Sequence, residues 1–174
     1  MKVIVVYDTK RGNTKLVAEK IEAGVMEVKG IETAISDVKK VNLKEVADSD
    51  VLLIGSPNQV VKPARGIEAF IDKLAKIDLK TKWVGVFDTH MAEDNRAHAK
   101  MEERIGEKLP GLKLITPGLS IKVKSGLSMK GPVEEGELLK CVDFGKKIAT
   151  KLKTDAINTG INIPRLSINE KKRV

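Results

Sequence analysis

Short apolar runs rich in β-branched residues alternate with longer segments of helical period along most of this chain, and that alternation leaves few folds open. Residues 3–6, 51–54 and 84–87 are apolar at nearly every position, as expected of strands covered on both faces. Between and after them the period changes. Leu16, Val17, Ile21, Val25 and Val28 mark an amphipathic helix over 13–28, and Ile67, Phe70, Ile71, Leu74 and Ile77 a second over 65–77. Ala97, Met101, Ile105 and Leu109 recur at spacing four, and Leu138, Val142, Gly145, Ile148, Ala149 and Leu152 continue the helical pattern. Residues 32–36 and 112–115 read as two further strands, the latter continuing irregularly through 119–123, with a short helical piece around 43–46. Strand and helix alternating about five times predict a parallel sheet wound with helices on both faces.

Length and composition fit one such domain. The 174 residues are 41% hydrophobic and 32% charged, enough for one core and a well-solvated surface. Cys141 is the only cysteine, which excludes an internal disulfide framework and a zinc site built from several thiolates. No stretch reaches the ~20 apolar residues of a membrane helix. The opening apolar run is too short for a secretory signal and meets Asp8 at once, so the expected compartment is the cytoplasm. Net charge is +8, and residues 151–174 hold six basic against two acidic side chains. The expected organisation is a domain over 1–152 and a basic C-terminal extension over 153–174. Gly131 and Pro132, followed by Glu134, Glu135 and Glu137, read as the start of the last helix.

The segment Tyr7-Asp8-Thr9-Lys10-Arg11-Gly12-Asn13-Thr14 lies where the first strand ends and the first helix begins. Ligands of open α/β sheets bind at such carboxyl ends. Gly12 allows a sharp turn and close backbone approach to an anion, while Thr9 and Thr14 add hydroxyls and Asn13 an amide that can donate or cap the helix. Lys10 and Arg11 raise the local potential. Taken alone, Gly-Asn-Thr also serves as an ordinary turn and helix cap; its place after the first strand favours the phosphate reading.

These residues resemble the phosphate loop of the flavodoxin family, Thr-x-Thr-Gly-Asn-Thr, with Arg11 at the middle threonine. A second match is 47–57, Ala-Asp-Ser-Asp-Val-Leu-Leu-Ile-Gly-Ser-Pro, which looks like the family's third strand and the entry to its second flavin loop; residues 63–74 are similar to the helix that follows. The resemblance implies a doubly wound five-stranded parallel sheet of order 2-1-3-4-5 and FMN as cofactor. It assigns Thr9, Lys10, Arg11, Gly12, Asn13 and Thr14 to the phosphate. Ser56, Pro57, Asn58, Gln59 and Val60 would flank one side of the flavin ring, and Asp88, Thr89 and His90 the other. Residues 87–89 and 131–138 also resemble a subgroup of flavodoxin-domain proteins.

The chain departs from the pattern in three ways. Neither ring flank contains Trp, Tyr or Phe; each missing stacking contact removes roughly 0.5–1.5 kcal/mol. The fourth-strand loop lacks the family's glycines, and the chain is basic where flavodoxins are typically acidic. Two functions therefore compete. One is an FMN protein that transfers electrons, or acts as a flavin-dependent oxidoreductase, with a redox partner protein or a small-molecule electron acceptor. The other is a flavin-free binding module whose basic surface or tail contacts an acidic partner. With 3% aromatic residues and no nucleic-acid motif, the sequence argues against nucleic acid. A homo-oligomer is compatible with the fold, though no residue marks an interface.

Other residues read more simply. His90 and His98, with Asp88, Glu93 and Asp94 nearby, could be drawn as a metal site, but carboxylates capping the following helix account for the cluster. Cys141 lies on the apolar stripe of the last helix and reads as a buried, inert thiol. Trp83 reads as packing, and Tyr7 and Phe87 either border the site or close the core. Residues 126–131 have Walker-like spacing, with Pro132 where lysine is required.

Overall fold

The computed structural model describes residues 1–81, 83–91, 97–124, 131–134 and 136–158. In chain order the elements are β1 (Lys2–Tyr7), α1 (Asn13–Met26), β2 (Glu32–Asp37), α2 (Leu43–Ala47), β3 (Val51–Pro57), α3 (Arg65–Leu74), β4 (Trp83–His90), α4 (Ala97–Lys108), β5 (Lys113–Lys122) and α5 (Glu137–Asn158). The five strands form one sheet of order β2-β1-β3-β4-β5, parallel throughout. The sequence pattern anticipated this alternation, and the doubly wound order is the one the resemblance implied.

Alternation along the strands divides the core in two. Val3, Val5, Val51, Leu53 and Phe87 face one cluster, completed by Val17, Ile21 and Val25 of α1 and by Cys141, Ile148 and Leu152 of α5. Ile4, Val6, Leu52, Ile54, Val84 and Val86 face the other, with Ile67, Phe70, Ile71 and Leu74 of α3 and Met101 and Ile105 of α4. The four α3 side chains are at most 1% exposed, and each such burial is worth about 1.5–3 kcal/mol. The helical stripe read from the sequence is thus the buried face. Tyr7 and Phe87 both close the core next to α1, and burial pushes the Tyr7 phenol pKa upward.

On that face α1 and α5 cross closely. A Cβ at Gly24 would fall 2.0 Å from the Val142 carbonyl oxygen, and one at Gly145 would fall 2.0 Å from that of Ile21. Only glycine permits both approaches. Gly145 in the apolar stripe was therefore a packing residue in the literal sense.

Helices α1 and α3 end two and three residues earlier than their apolar stripes suggested, at Met26 and Leu74, and both boundaries of the last helix differ from the sequence reading. Residues 131–134 do not open the last helix: Val133 bridges Val123 in antiparallel fashion, Lys124 N donates to Pro132 O at 2.8 Å, and Glu134 N donates to Lys122 O at 3.0 Å. Gly136, at φ 84, then turns the chain into α5. At its other end α5 runs past residue 152 to Asn158 because Ala156, four beyond Leu152, is also buried. The irregularity of β5 has a local cause: register shifts between Gly85 and Phe87 of β4, opposite Pro117, which has no N–H for the ladder. Residues 159–174 and the Walker-like stretch 126–130 lie outside the described residues. Among the described residues no helix is long and apolar enough to cross a membrane.

Candidate functional site

The turn after β1 begins with Asp8, whose N–H donates to Gly55 O at 3.0 Å. Gly12 then takes a left-handed conformation, φ 90, as the N-cap of α1, and its N–H donates to Thr9 Oγ1 at 3.0 Å. Gly12 has no side chain with which to accept from the first-turn N–H groups, and α1 has no side-chain cap and no acidic residue there. The first intrahelical bond runs from Leu16 N to Gly12 O, so the preceding N–H groups have no acceptor within the helix. Space above Gly12 is open. The helix start therefore presents N–H donors and the positive end of its dipole to the outside.

That outside is a cleft of about 310 Å³ at the carboxyl ends of β1, β3 and β4. Thr9, Lys10, Arg11, Asn13 and Thr14 form one part of its wall, Pro57, Asn58, Gln59 and Val60 a second, and Thr89 and His90 a third. The three parts are tied together. Thr14 Oγ1 and Thr89 Oγ1 share a hydrogen bond at 2.9 Å, and Asn58 N donates to Thr89 O at 2.8 Å. Asn13 Nδ2 donates to Gly131 O at 2.9 Å. The Asn13 amide thus fastens the loop to the segment before α5 rather than capping its own helix.

The loop after β3 is a tight hairpin. Gln59 and Lys62 exchange backbone hydrogen bonds of 2.8 and 3.3 Å, and Val60 and Val61 between them have φ 53 and 67. Two positive φ values in a two-residue loop are the geometry that Asn-Gly ordinarily fills. Valine adopts it only at a cost in strain, and here it holds Val60, 93% exposed, at the cleft mouth.

Ser56 and Asp88, both assigned to the ring flanks from the sequence, do not reach the cleft wall. They share the strand face of Ile54 and Val86, which looks toward α3 and α4, while Pro57 and Thr89 lie on the α1 side. Ser56 is fully buried; its hydroxyl donates to Pro57 O at 3.0 Å and accepts from Ala64 N at 2.8 Å. Asp88 is also fully buried. It accepts from His98 N at 2.8 Å, pairs with His98 Nδ1 at 2.9 Å, and accepts from Ser120 Oγ at 2.5 Å. Asp88 is therefore a carboxylate capping the following helix, with His98 as its partner. Glu93 and Asp94 lie outside the described residues, among which no group of three His, Cys, Asp or Glu could hold a metal.

Met91 and Val123 also line the cleft and were missed from the sequence. Val123 follows β5, and the rule that placed ligands at strand ends applied to that strand as well. Met91 directly follows His90; its polarizable thioether suits a flat π-system. Among the described residues, no aromatic side chain other than the His90 imidazole lines the cleft. Cys141 is elsewhere: its thiol donates to Glu137 O at 3.3 Å, and burial pushes its pKa up to about 12, too high for a nucleophile at neutral pH.

The sequence model of the flavodoxin domain matches residues 4–115. The chain belongs to the flavodoxin family. A flavodoxin of Aquifex aeolicus is 34% identical over 71 residues, 41% of this chain. An uncharacterized protein of Methanocaldococcus jannaschii is 31% identical over 155 residues, 85% of this chain. The matched regions span only 38% and 36% of those two relatives' lengths. A solved flavodoxin from the domain Archaea superposes with a TM-score of 0.73 at 27% identity, covering 88% of this chain and 99% of that one. The cofactor of the flavodoxin family is FMN. The residues present here fit it: an uncapped helix start with open space above Gly12 suits a phosphate, and the crevice between residues 57–60 and 89–91 suits a flat ring.

Proposed function

We propose that this flavodoxin-family chain binds FMN non-covalently, with its phosphate at the start of α1 and its ring between residues 57–60 and 89–91, and transfers electrons to a redox partner. The supporting observation is the α1 terminus, where a left-handed glycine leaves the first-turn N–H groups without a cap and turned toward the cleft. A phosphate placed there would accept from those amides and from the hydroxyls of Thr9 and Thr14, with Lys10 and Arg11 adding positive potential. Gly12 permits the approach, and Asn13 holds the loop in place through Gly131.

When bound, FMN supplies the one- or two-electron chemistry. The protein's own part is to orient the ring and restrict water. Pro57, Asn58, Gln59 and Val60 would cover one side; Thr89, His90 and Met91 would cover the other. Ser56 and Asp88 act from behind, Ser56 by anchoring Ala64 after the loop that follows β3 and Asp88 by anchoring α4 after the loop that follows β4. With His90 and Met91 in place of stacking aromatics, affinity falls below that of an aromatic-flanked site by about one to two orders of magnitude. A cytoplasmic setting accords with the single buried thiol.

Titrating the flavin-free protein with FMN and with riboflavin tests the assignment through quenching of flavin fluorescence. Thr9→Ala combined with Thr14→Ala should weaken FMN by roughly tenfold to a hundredfold and riboflavin far less. Equal losses for both ligands would remove the phosphate from α1. A colourless protein that ignores excess FMN would return the flavin-free binding module.

A further inference from the structure

Trp83, the only tryptophan in the chain, stands at the amino end of β4. His90, at the flavin cleft, closes the same eight-residue strand, so the two ends lie about 23 Å apart at ~3.3 Å per residue. The indole borders a second cleft of about 310 Å³ between β5 and α5, walled by Ile115, Pro117, Phe144, Ile148 and Leu152. Lys147 and Lys151 line its edge. The ammonium groups of Lys151 and Lys113 lie 4.9 and 5.0 Å from the indole centroid.

These lysines differ from their neighbours. Lys146 is paired with Glu27 at 3.0 Å and Lys140 with Glu137. Among the described residues Lys113, Lys147 and Lys151 have no carboxylate partner. Lys147 and Lys151, one helical turn apart, repel each other, and the indole face attracts cations without neutralising them. An apolar cleft edged by the ammonium groups of Lys147 and Lys151, with Lys113 beside the same indole, is complementary to a molecule with an apolar body and an anionic end.

We propose that this cleft binds a small organic acid, its flat apolar part against Trp83 and Phe144 and its carboxylate at the ammonium groups of Lys147 and Lys151. The volume is at the lower end of the small-molecule range, room for a single ring on a short chain. Charge also argues against the chain's own C-terminus as occupant. Residues 159–174 carry Arg165, Lys171, Lys172 and Arg173 against Glu170, the same sign as the cleft edge.

The test uses the full-length, FMN-loaded protein, with Trp83 emission as the reporter and calorimetry as a second reading independent of flavin quenching. The probes are 3-phenylpropanoate and its neutral analogue 3-phenylpropan-1-ol. The acid should bind saturably, about tenfold tighter than the alcohol, with the flavin absorbance unchanged. Lys147→Gln with Lys151→Gln should weaken the acid by about tenfold without changing the flavin spectrum, and Lys147→Arg with Lys151→Arg should restore it. Absence of saturable binding by both readings would overturn the proposal, as would equal affinity for acid and alcohol. Undiminished binding to the glutamine variant, or displacement of FMN by the acid, would do the same.

Discussion

At the carboxyl ends of β3 and β4 the two faces of the sheet are finished differently. On the α1 side, Pro57 and Thr89 open onto the cleft. One residue earlier in each strand, Ser56 and Asp88 point toward α3 and α4, and both are buried with their hydrogen-bonding capacity spent on backbone and side-chain partners. One face is left open for a ligand, and the other locks the loops that shape the opening. The division follows from strand parity alone, so adjacent residues of one motif should respond differently to substitution.

The largest expected effect is at Asp88. Asp88→Ala leaves the His98 amide, the His98 ring and the Ser120 hydroxyl facing a buried space without their acceptor, and should cost about 3 kcal/mol of stability by urea denaturation. FMN affinity of the remaining folded protein should change much less. Loss of FMN with unchanged stability would put Asp88 on the ligand side and break the comparison. Ser56→Ala comes next: it strips the acceptor from the buried Ala64 N–H and should cost about 1.5 kcal/mol, again with FMN binding nearly intact.

Parity also explains what was legible in the sequence. The apolar runs and helical stripes depend on burial, which hydrophobic spacing reports directly, and the buried strands β1, β3 and β4 and the long helices were visible in them; the edge strands β2 and β5, with at most one buried residue each, left a fainter pattern. The turn into α1 was visible too, because Gly12 followed by Asn13 and Thr14 after a buried strand marks a left-handed break before a helix. Assigning Ser56 and Asp88 to the ring flanks treated a loop as a contiguous patch, while the strand continues through both residues and alternates its side chains. Residues 131–134 misled for a related reason. Gly-Pro followed by glutamates has the local chemistry of a helix start, but the backbone at 131–134 pairs with the end of β5, a partner that no local pattern names. Met91 and Val123 carried no signal beyond proximity to strand ends.

Thr89→Val sharpens the comparison from the other side. The substitution keeps the shape and removes only the hydroxyl that meets Thr14 at 2.9 Å. Stability should fall by about 1 kcal/mol, less than for Ser56→Ala, while FMN affinity should fall about fivefold because Thr14 loses its tether. A stability loss with no change in FMN affinity would place Thr89 with Ser56 and Asp88 as an anchor only.

The smallest effect concerns Glu137, which pins the end of β5 from the α5 side as Asp88 pins β4 from the α4 side. Burial pushes its carboxyl upward, but hydrogen bonds from Lys140 and the Lys122 amide, with the charges of Lys140 and His90, outweigh burial and hold the pKa below the usual glutamate range. A depressed folded-state pKa contributes stability at neutral pH, and that contribution disappears as pH falls through it. Glu137→Gln should therefore be less stable than the parent at pH 7, with the gap closing in acid as the parent's carboxylate protonates. Urea midpoints measured from neutral pH down to about pH 3 would show the convergence. The gap should be smaller than for Asp88 because the Glu137 side chain is 13% exposed and Asp88 is fully buried, so water can replace part of what Glu137 loses. A gap independent of pH would mean that Glu137 acts through packing rather than charge, and the likeness between the two strand-end carboxylates would fail.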